Sequence, residues 1–368
     1  MKVTLLLRVP FLDKIPNLKT LIVDLARRGI DIIIISTVNK DYPVSDFSDF
    51  ANVKMVLVKQ RTRRFELPTS AKLLFATIKN IFFSKSDYYI GGDNFANHLL
   101  MVLKRFVSFT YINFVLEYPD INKPAELNEI EASNYIITHD RWHAEFISKY
   151  CKLRNDQILF LPNASYTDEC KEHDNYLFER LQIPTDKNII LHSGGLGKWF
   201  CSKELAEAAM QWSENNVLVF HTSHIVNHDS YFQTVKSLVS DSEKVFFSTK
   251  PVPNEELDRL VASAKIGIAL YSLAELGYRA ENMGLAAGKI GNYLKCGIPV
   301  IATKVHSLSY IEDYKCGILV DNPTQINDAI DVILRNYDNY ANNSYTCYEN
   351  LWHPKKYLDK IYETLINK

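Results

Sequence analysis

The sequence predicts an α/β protein of two doubly wound domains, each a parallel sheet covered by helices. Three observations carry this reading. The 368 residues are about twice the usual size of a single domain. Short β-branched runs alternate with longer amphipathic segments, the rhythm of βα units. The runs also fall into two groups on either side of Leu161-Pro162-Asn163-Ala164, where Pro and Asn favour a turn. A single (β/α)8 barrel competes less well, because its eight strands would use only about 250 residues.

In the first group Val3–Leu7 reads as the opening strand, Leu18–Arg28 as a helix stopped by Gly29, and Asp31–Ser36 as a strand buried on both faces. Lys54–Val58, Tyr88–Ile90, Thr110–Val115, Tyr135–Thr138 and Ile158–Phe160 follow as strands. The second group starts at Asn188–His192 and continues through Val217–His221, Val245–Phe247, Ile266–Leu270, Pro299–Thr303 and Gly317–Val320. Helical spacing fills Ser202–Gln211, Asn254–Ala264, Lys289–Lys295 and Gln325–Arg335. Trp352–Asn367 is helical too, with Leu358, Ile361 and Leu365 on one face. The expected domains are 1–163 and 164–350, with 351–368 as a terminal helix able to cross back to the first.

Composition excludes several classes. With 47% apolar and 23% charged residues the chain is neither disordered nor fibrous. The 42 Lys and Arg nearly balance 43 Asp and Glu, so no global field draws the protein to nucleic acid. The balance is uneven, however: residues 1–163 carry net +5 and residues 164–368 net −6. Lys59, Arg61, Arg63 and Arg64 form the sharpest basic cluster, either a solvated face or a contact for anionic lipid or an acidic acceptor. Six cysteines without a C-x-x-C pair suggest neither a zinc site nor a disulfide framework and fit a reducing cytoplasm. No 18-residue apolar run and no leader-like start are seen, so the expectation is a soluble or at most peripheral protein.

Open parallel sheets bind ligands beyond the carboxyl ends of their strands, which directs attention to the loops there. After the strand ending at His192 comes Ser193-Gly194-Gly195-Leu196-Gly197-Lys198, then a helix with Ser202 as the expected N-cap. Glycines let backbone N–H groups approach an anion and Lys198 adds a charge, although a plain tight turn explains the same residues. A second helix start, Ala286-Ala287-Gly288-Lys289, puts a cation in the first turn, against the helix dipole unless an anion binds there. In the first domain Asp93, Glu117 and His139 each follow a strand and are candidates for proton transfer or acceptor positioning, or else simple caps. His143, four residues after His139, lacks the further ligands a metal would need.

Gly288-Lys289-Ile290, Tyr293-Leu294, Gly297-Ile298-Pro299-Val300-Ile301-Ala302-Thr303 and Cys316-Gly317-Ile318-Leu319-Val320 resemble the C-terminal half of GT-B glycosyltransferases, close to the family-four group. Ile158–Ala164 is similar to the strand and Pro-Asn turn leading into their donor domain. Leu191–Lys198 resembles their glycine-containing loop, and Pro251–Leu260 their loop and helix beside the nucleotide base. The likeness covers most of 158–335 in the same order; over 1–157 only the βα rhythm and the strand into His139 correspond.

The resemblance implies two Rossmann-like domains facing across a cleft and transfer of a sugar from a UDP- or GDP-sugar to a hydroxyl of a glycan or lipid-linked oligosaccharide, in surface polysaccharide synthesis. Gly194, Gly195, Lys198, Ala287, Gly288 and Lys289 would surround the diphosphate, Val252 would face the base, and Tyr271 and Glu275 would lie near the sugar. Oriented N–H groups and lysines would stabilise the departing diphosphate, so neither a metal nor a cofactor beyond the donor is expected. The basic first half leaves room for a peripheral contact with anionic membrane at its cytoplasmic face. One departure stands out. Many members carry two glutamates eight positions apart, and by register with Gly297 these positions hold Gly284 and Asn292 here, with Glu275 and Glu281 off register. Asn292 could still hydrogen-bond a ribose hydroxyl. Two other readings are a nucleotide-sugar epimerase of the same architecture and a non-catalytic sugar-nucleotide binder.

Overall fold

The computed structural model describes residues 1–60, 67–165, 170, 173–222, 229–253 and 256–367. Two compact units emerge, the first built from residues up to 166 and from 354 onward, the second from 167 to 353. Relative to the boundary read from the sequence at 163, the first unit keeps three more residues, and the chain returns to it at 354 rather than 351.

The first unit holds a sheet of seven strands: β1 (Lys2–Leu6), β2 (Asp31–Val38), β3 (Val53–Lys59), β4 (Tyr88–Gly91), β5 (Thr110–Phe114), β6 (Tyr135–Thr138) and β7 (Ile158–Phe160). Its order is β3-β2-β1-β4-β5-β6-β7, with neighbours parallel. The second unit holds β8 (Asn188–Ser193), β9 (Asn216–His221), β10 (Val245–Ser248), β11 (Ile266–Ala269), β12 (Val300–Thr303) and β13 (Gly317–Val320). Here the order is β10-β9-β8-β11-β12-β13, again parallel. Each sheet starts in its middle, winds outward one way and then restarts on the other side. The winding therefore reverses between β1 and β4 and between β8 and β11, the positions where loops splay apart and leave room for ligands. Every strand read from the sequence is present; in the central strands, Val- and Ile-rich runs buried on both faces leave few alternatives.

The first core gathers Val3, Leu5, Leu21, Leu25, Ile32 and Ile90 with Leu358, Ile361 and Leu365 of the terminal helix Lys355–Ile366. That helix is pinned at two points, near its middle and near its carboxyl end. The Tyr88 hydroxyl donates to the Leu365 carbonyl at 2.7 Å, and Arg28 bridges Asp24 at 2.7 Å and Asp359 at 2.5 Å. In the second unit the helix Gly288–Lys295 lies so close to its neighbours that a Cβ on Gly291 would sit 2.6 Å from the Trp352 ring. Lys295, almost fully buried, pairs with Asp258 at 2.6 Å.

Two local expectations are corrected. Ser202 is not the N-cap of the following helix, Ser202–Ala209; Cys201 holds that position with φ +50. The Ser202 hydroxyl instead accepts from the Gly197 N–H at 3.0 Å, which staples the glycine loop. The helix expected over Asn254–Ala264 is shorter, Leu257–Ala262, with 254–255 outside the described residues. Arg61, Arg63 and Arg64 also lie outside them.

Candidate functional site

At the carboxyl end of β8 the chain turns through Gly194 with φ +122, a conformation that L side chains rarely adopt. His192 fixes the turn: its Nε2–H donates to the Gly195 carbonyl at 2.9 Å. Burial and the neighbouring Lys289 push its pKa well down, so the ring is neutral. The Ser193 N–H donates to the Tyr293 hydroxyl at 2.8 Å, and that hydroxyl donates onward to the Leu191 carbonyl at 3.0 Å. Gly267 on β11 makes this possible, since a Cβ there would lie 2.3 Å from the Tyr293 ring. The glycine loop is thus tied to the helix Gly288–Lys295 by one buried tyrosine.

Lys289, in the first turn of that helix, sends its side chain back across the loop. A Cβ placed on Gly194 would be 3.5 Å from both Cε and Nζ of Lys289, an ordinary contact, so the lysine side chain lies directly over this glycine. Nζ lies 4.3 Å from the centre of the Phe200 ring and 5.7 Å from that of Tyr271. It has no exposed surface and no hydrogen-bond partner. Removal from water pushes its pKa down from 10.5 to about 7. Ring faces recover part of that cost, but an ammonium with three unused donors still lacks an acceptor. No side chain caps the helix, and no acidic residue sits in its first turn. The leading N–H groups, the positive end of the dipole and Lys289 therefore present donors without an anion.

The other expected donor contacts differ in burial and in what holds them. Gly195 touches Phe200 so closely that a Cβ would sit 2.6 Å from its ring. Lys198 opens the turn Lys198–Phe200 and is exposed. Ala287 is buried at the helix start, Gly288 is the first helical residue, and Asn292 is half-buried one turn beyond Lys289. Tyr271 is buried, with its N–H donating to Thr303 Oγ1 at 2.8 Å. Glu275, on the short helix Leu273–Leu276, is exposed, and Val252 is half-buried in the loop after β10.

In the first unit the three candidates differ in what they have left to offer. Asp93 caps the helix Asn94–Lys104: one oxygen accepts from Ala96 N–H at 2.8 Å, the other from Arg8 and Val9 N–H at 2.5 and 3.0 Å. His139 is buried; its Nε2–H donates to the Leu116 carbonyl at 2.8 Å, and Nδ1 accepts from the Asn17 amide at 3.4 Å. Burial pushes its pKa down, so the ring stays neutral and structural. His143 stacks on it with ring centres 5.3 Å apart, and among the described residues no three His, Cys, Asp or Glu gather as a metal site. Glu117 alone of the three is exposed. It lines a cavity of about 210 Å³ beyond β5 together with Asp93, Asn97, Asn113 and Glu129. Burial pushes the Glu129 carboxyl up to about 7.

Residues 174–349 match the family model described as glycosyl transferases group 1. The match falls within the second unit. Among solved structures the whole chain is similar to sucrose-phosphate synthase from Thermosynechococcus elongatus, with 13% identity, TM-score 0.75 and coverage of 100% of this chain and 99% of that one. It is similar to Anabaena Alr3699/HepE in complex with UDP and glucose, with 12% identity, TM-score 0.72 and both chains fully covered. It also resembles a Listeria monocytogenes protein assigned as a UDP-N-acetylglucosamine 2-epimerase, at 10% identity, TM-score 0.62 and coverage of 98% and 94%. At such identities the likeness shows the fold, which is GT-B. No curated protein sequence matches the chain.

Within the second unit, three groups escaped the sequence reading: Phe200 under the ammonium, His192 inside the loop, and Tyr293 as the tie. A histidine and a serine closing an otherwise apolar strand were the available signal for the second. Nothing local marks Phe200, since its partner is 89 positions away.

Proposed function

We propose that the protein transfers a sugar from a UDP- or GDP-sugar to a hydroxyl of a glycan or lipid-linked oligosaccharide. One observation carries the proposal: the ammonium of Lys289 is buried and unpartnered beside the glycine loop at an uncapped helix N-terminus. An anion is what such a place lacks. As the glycosidic bond breaks, negative charge grows on the leaving diphosphate, and donors already fixed there act more strongly on the transition state than on the bound donor. In this reading Lys289, the N–H groups at Gly288 and Gly195, and the exposed charge of Lys198 hold the diphosphate without a metal, while the Gly194 N–H is already taken by the His221 carbonyl. Val252 faces the base, Asn292 takes a ribose hydroxyl in place of a carboxylate, and Tyr271 and Glu275 border the sugar. Of the proton-handling candidates, Glu117 has the exposure to meet an acceptor hydroxyl. Asp93 and His139 position the loops around it. The reaction serves surface polysaccharide assembly at the cytoplasmic face of a membrane.

A thermal-shift panel of UDP, GDP and their sugars tests the donor site, because a ligand of the native state raises the melting temperature by mass action. At least one nucleotide should stabilise the wild type, and Lys289→Ala should abolish the shift; equal shifts in both would refute the site. The epimerase reading is favoured only by the shared fold. Incubating the protein with its donor and no acceptor separates the two, since an epimerase accumulates an isomer whereas a transferase releases little beyond slow hydrolysis.

A further inference from the structure

The helix Leu67–Lys79 and the π-helical turn Asn80–Ser84 that continues it bury only one narrow face. Thr69, Leu73, Thr77 and Ile81, spaced four apart, point into the first unit. The remainder is unusual for a surface. Leu67 is 76% exposed, Phe75 71%, Phe82 57% and Phe83 83%, with Leu74 also exposed. A little further along, after the helix Asn94–Lys104, Phe106 is 80% exposed beside the exposed Arg105. The chain enters the adjacent parallel strands β4 and β5 at their amino ends, so the Phe82-Phe83 turn and the Arg105-Phe106 turn lie at the same end of the sheet. Single exposed apolar residues are ordinary, but large aromatic ones gathered on one helix and at one end of the sheet mark an interaction surface.

We infer that this surface seats the protein on an anionic lipid bilayer. The charges choose among occupants. From Leu67 to Ser86 there is no Asp or Glu, whereas Lys72, Lys79 and Lys85 are all exposed among the aromatics. Protein–protein interfaces are depleted of lysine, while a helix lying in the headgroup region combines Phe and Leu on one side with Lys and Arg at its margins. Lysine stems can also lie along apolar surface with their ammonium groups reaching the phosphates. The helix and its continuation are about 27 Å long. That length suits an element lying in the plane of the membrane, and no helix among the described residues is long and apolar enough to cross one. This inference adds the contact surface to the proposed membrane-face reaction, yet stands on exposure and charge that do not depend on that reaction.

Sedimentation with vesicles tests it directly. The full chain should bind vesicles of phosphatidylcholine with about 30% phosphatidylglycerol and bind pure phosphatidylcholine far less. Raising salt from about 0.1 to about 0.5 M should weaken the binding. Phe75→Ser with Phe83→Ser should lower the partition coefficient by about tenfold or more, with melting temperature and nucleotide-induced shift retained. Phe83→Trp should gain a blue-shifted emission component on the anionic vesicles, showing that this position enters the apolar layer. Undiminished binding by the double serine variant, no binding by the wild type, or a wild-type dimer that the variant converts to monomer would overturn the inference. Because no step requires turnover, failure of the donor site would leave these results intact, and the reverse holds too.

Discussion

Lys289 shows how one side chain can be costly in the free protein and useful in the complex. Its pKa falls from 10.5 to about 7 on folding. Between those values the unfolded chain binds one more proton than the native state, so the contribution of this group to stability rises with pH from about 7 to about 10.5 and is flat outside that window. Lys289→Met should therefore raise the melting temperature of the nucleotide-free protein near pH 7 and flatten that rise, as read by thermal scans across pH. The same variant should weaken nucleotide diphosphate binding by about 10- to 100-fold, the loss of one charged hydrogen-bonding partner. At pH 8 the wild type should take up close to one proton on binding, measured by titration calorimetry in buffers of different ionisation enthalpy. No uptake would mean that the anion does not reach Nζ. Much of this was visible in the letters, since a lysine in a helix's first turn already asks for an anion. Its burial was not visible, because that depends on Phe200 and Tyr271, brought in from other loops. Asp93 and His139 illustrate the opposite limit. A polar residue after a strand looks the same in sequence whether it faces a ligand or satisfies backbone N–H groups, and only the hydrogen bonds to Ala96, Arg8 and Leu116 decide.

Elements were legible where burial alone dictates them. The central strands of both sheets are short apolar runs sealed on both faces, which leaves little choice but a parallel strand, whereas the edge strand β3 is half exposed and legible only by its β-branched residues. Helix starts were less legible, as at Ser202, where the hydroxyl serves the loop at Gly197 instead of its own helix. The tie between the β8 loop and the helix Gly288–Lys295 runs through the Tyr293 hydroxyl, which both accepts and donates in a buried setting. Tyr293→Phe leaves the Ser193 N–H and the Leu191 carbonyl without that partner and should cost about 1–3 kcal/mol in denaturant unfolding. It should also raise KM for the donor more than it lowers kcat, because the loop loses its register. Gly267→Ala should act through the same tyrosine by pushing its ring, with about 1–3 kcal/mol of overpacking strain. A Gly267→Ala protein of wild-type stability would show that the ring is free to move.

At the scale of the whole chain, the second unit is an insertion into the first: the chain leaves after residue 166 and comes back at 354 to complete the first core. Leu358, Ile361 and Leu365 fill the side of that core built by Val3, Leu21 and Leu25. Arg28, held between Asp24 and Asp359 and lying 4.7 Å from the Tyr362 ring, fastens the return. Arg28→Ala should lower the stability of the first unit by about 1–2 kcal/mol, an exposed-side ion pair contributing little and the buried stem and ring contact more. Hydrogen exchange should place the loss in the terminal helix and in Pro16–Arg27, while the second unit keeps its protection; uniform loss across both would contradict the division. There is a temporal side to this arrangement. During synthesis the second unit can close its own sheet while the ribosome is still adding residues, but the first unit, although most of it precedes the second in the chain, waits for the helix Lys355–Ile366 before its apolar interior is sealed.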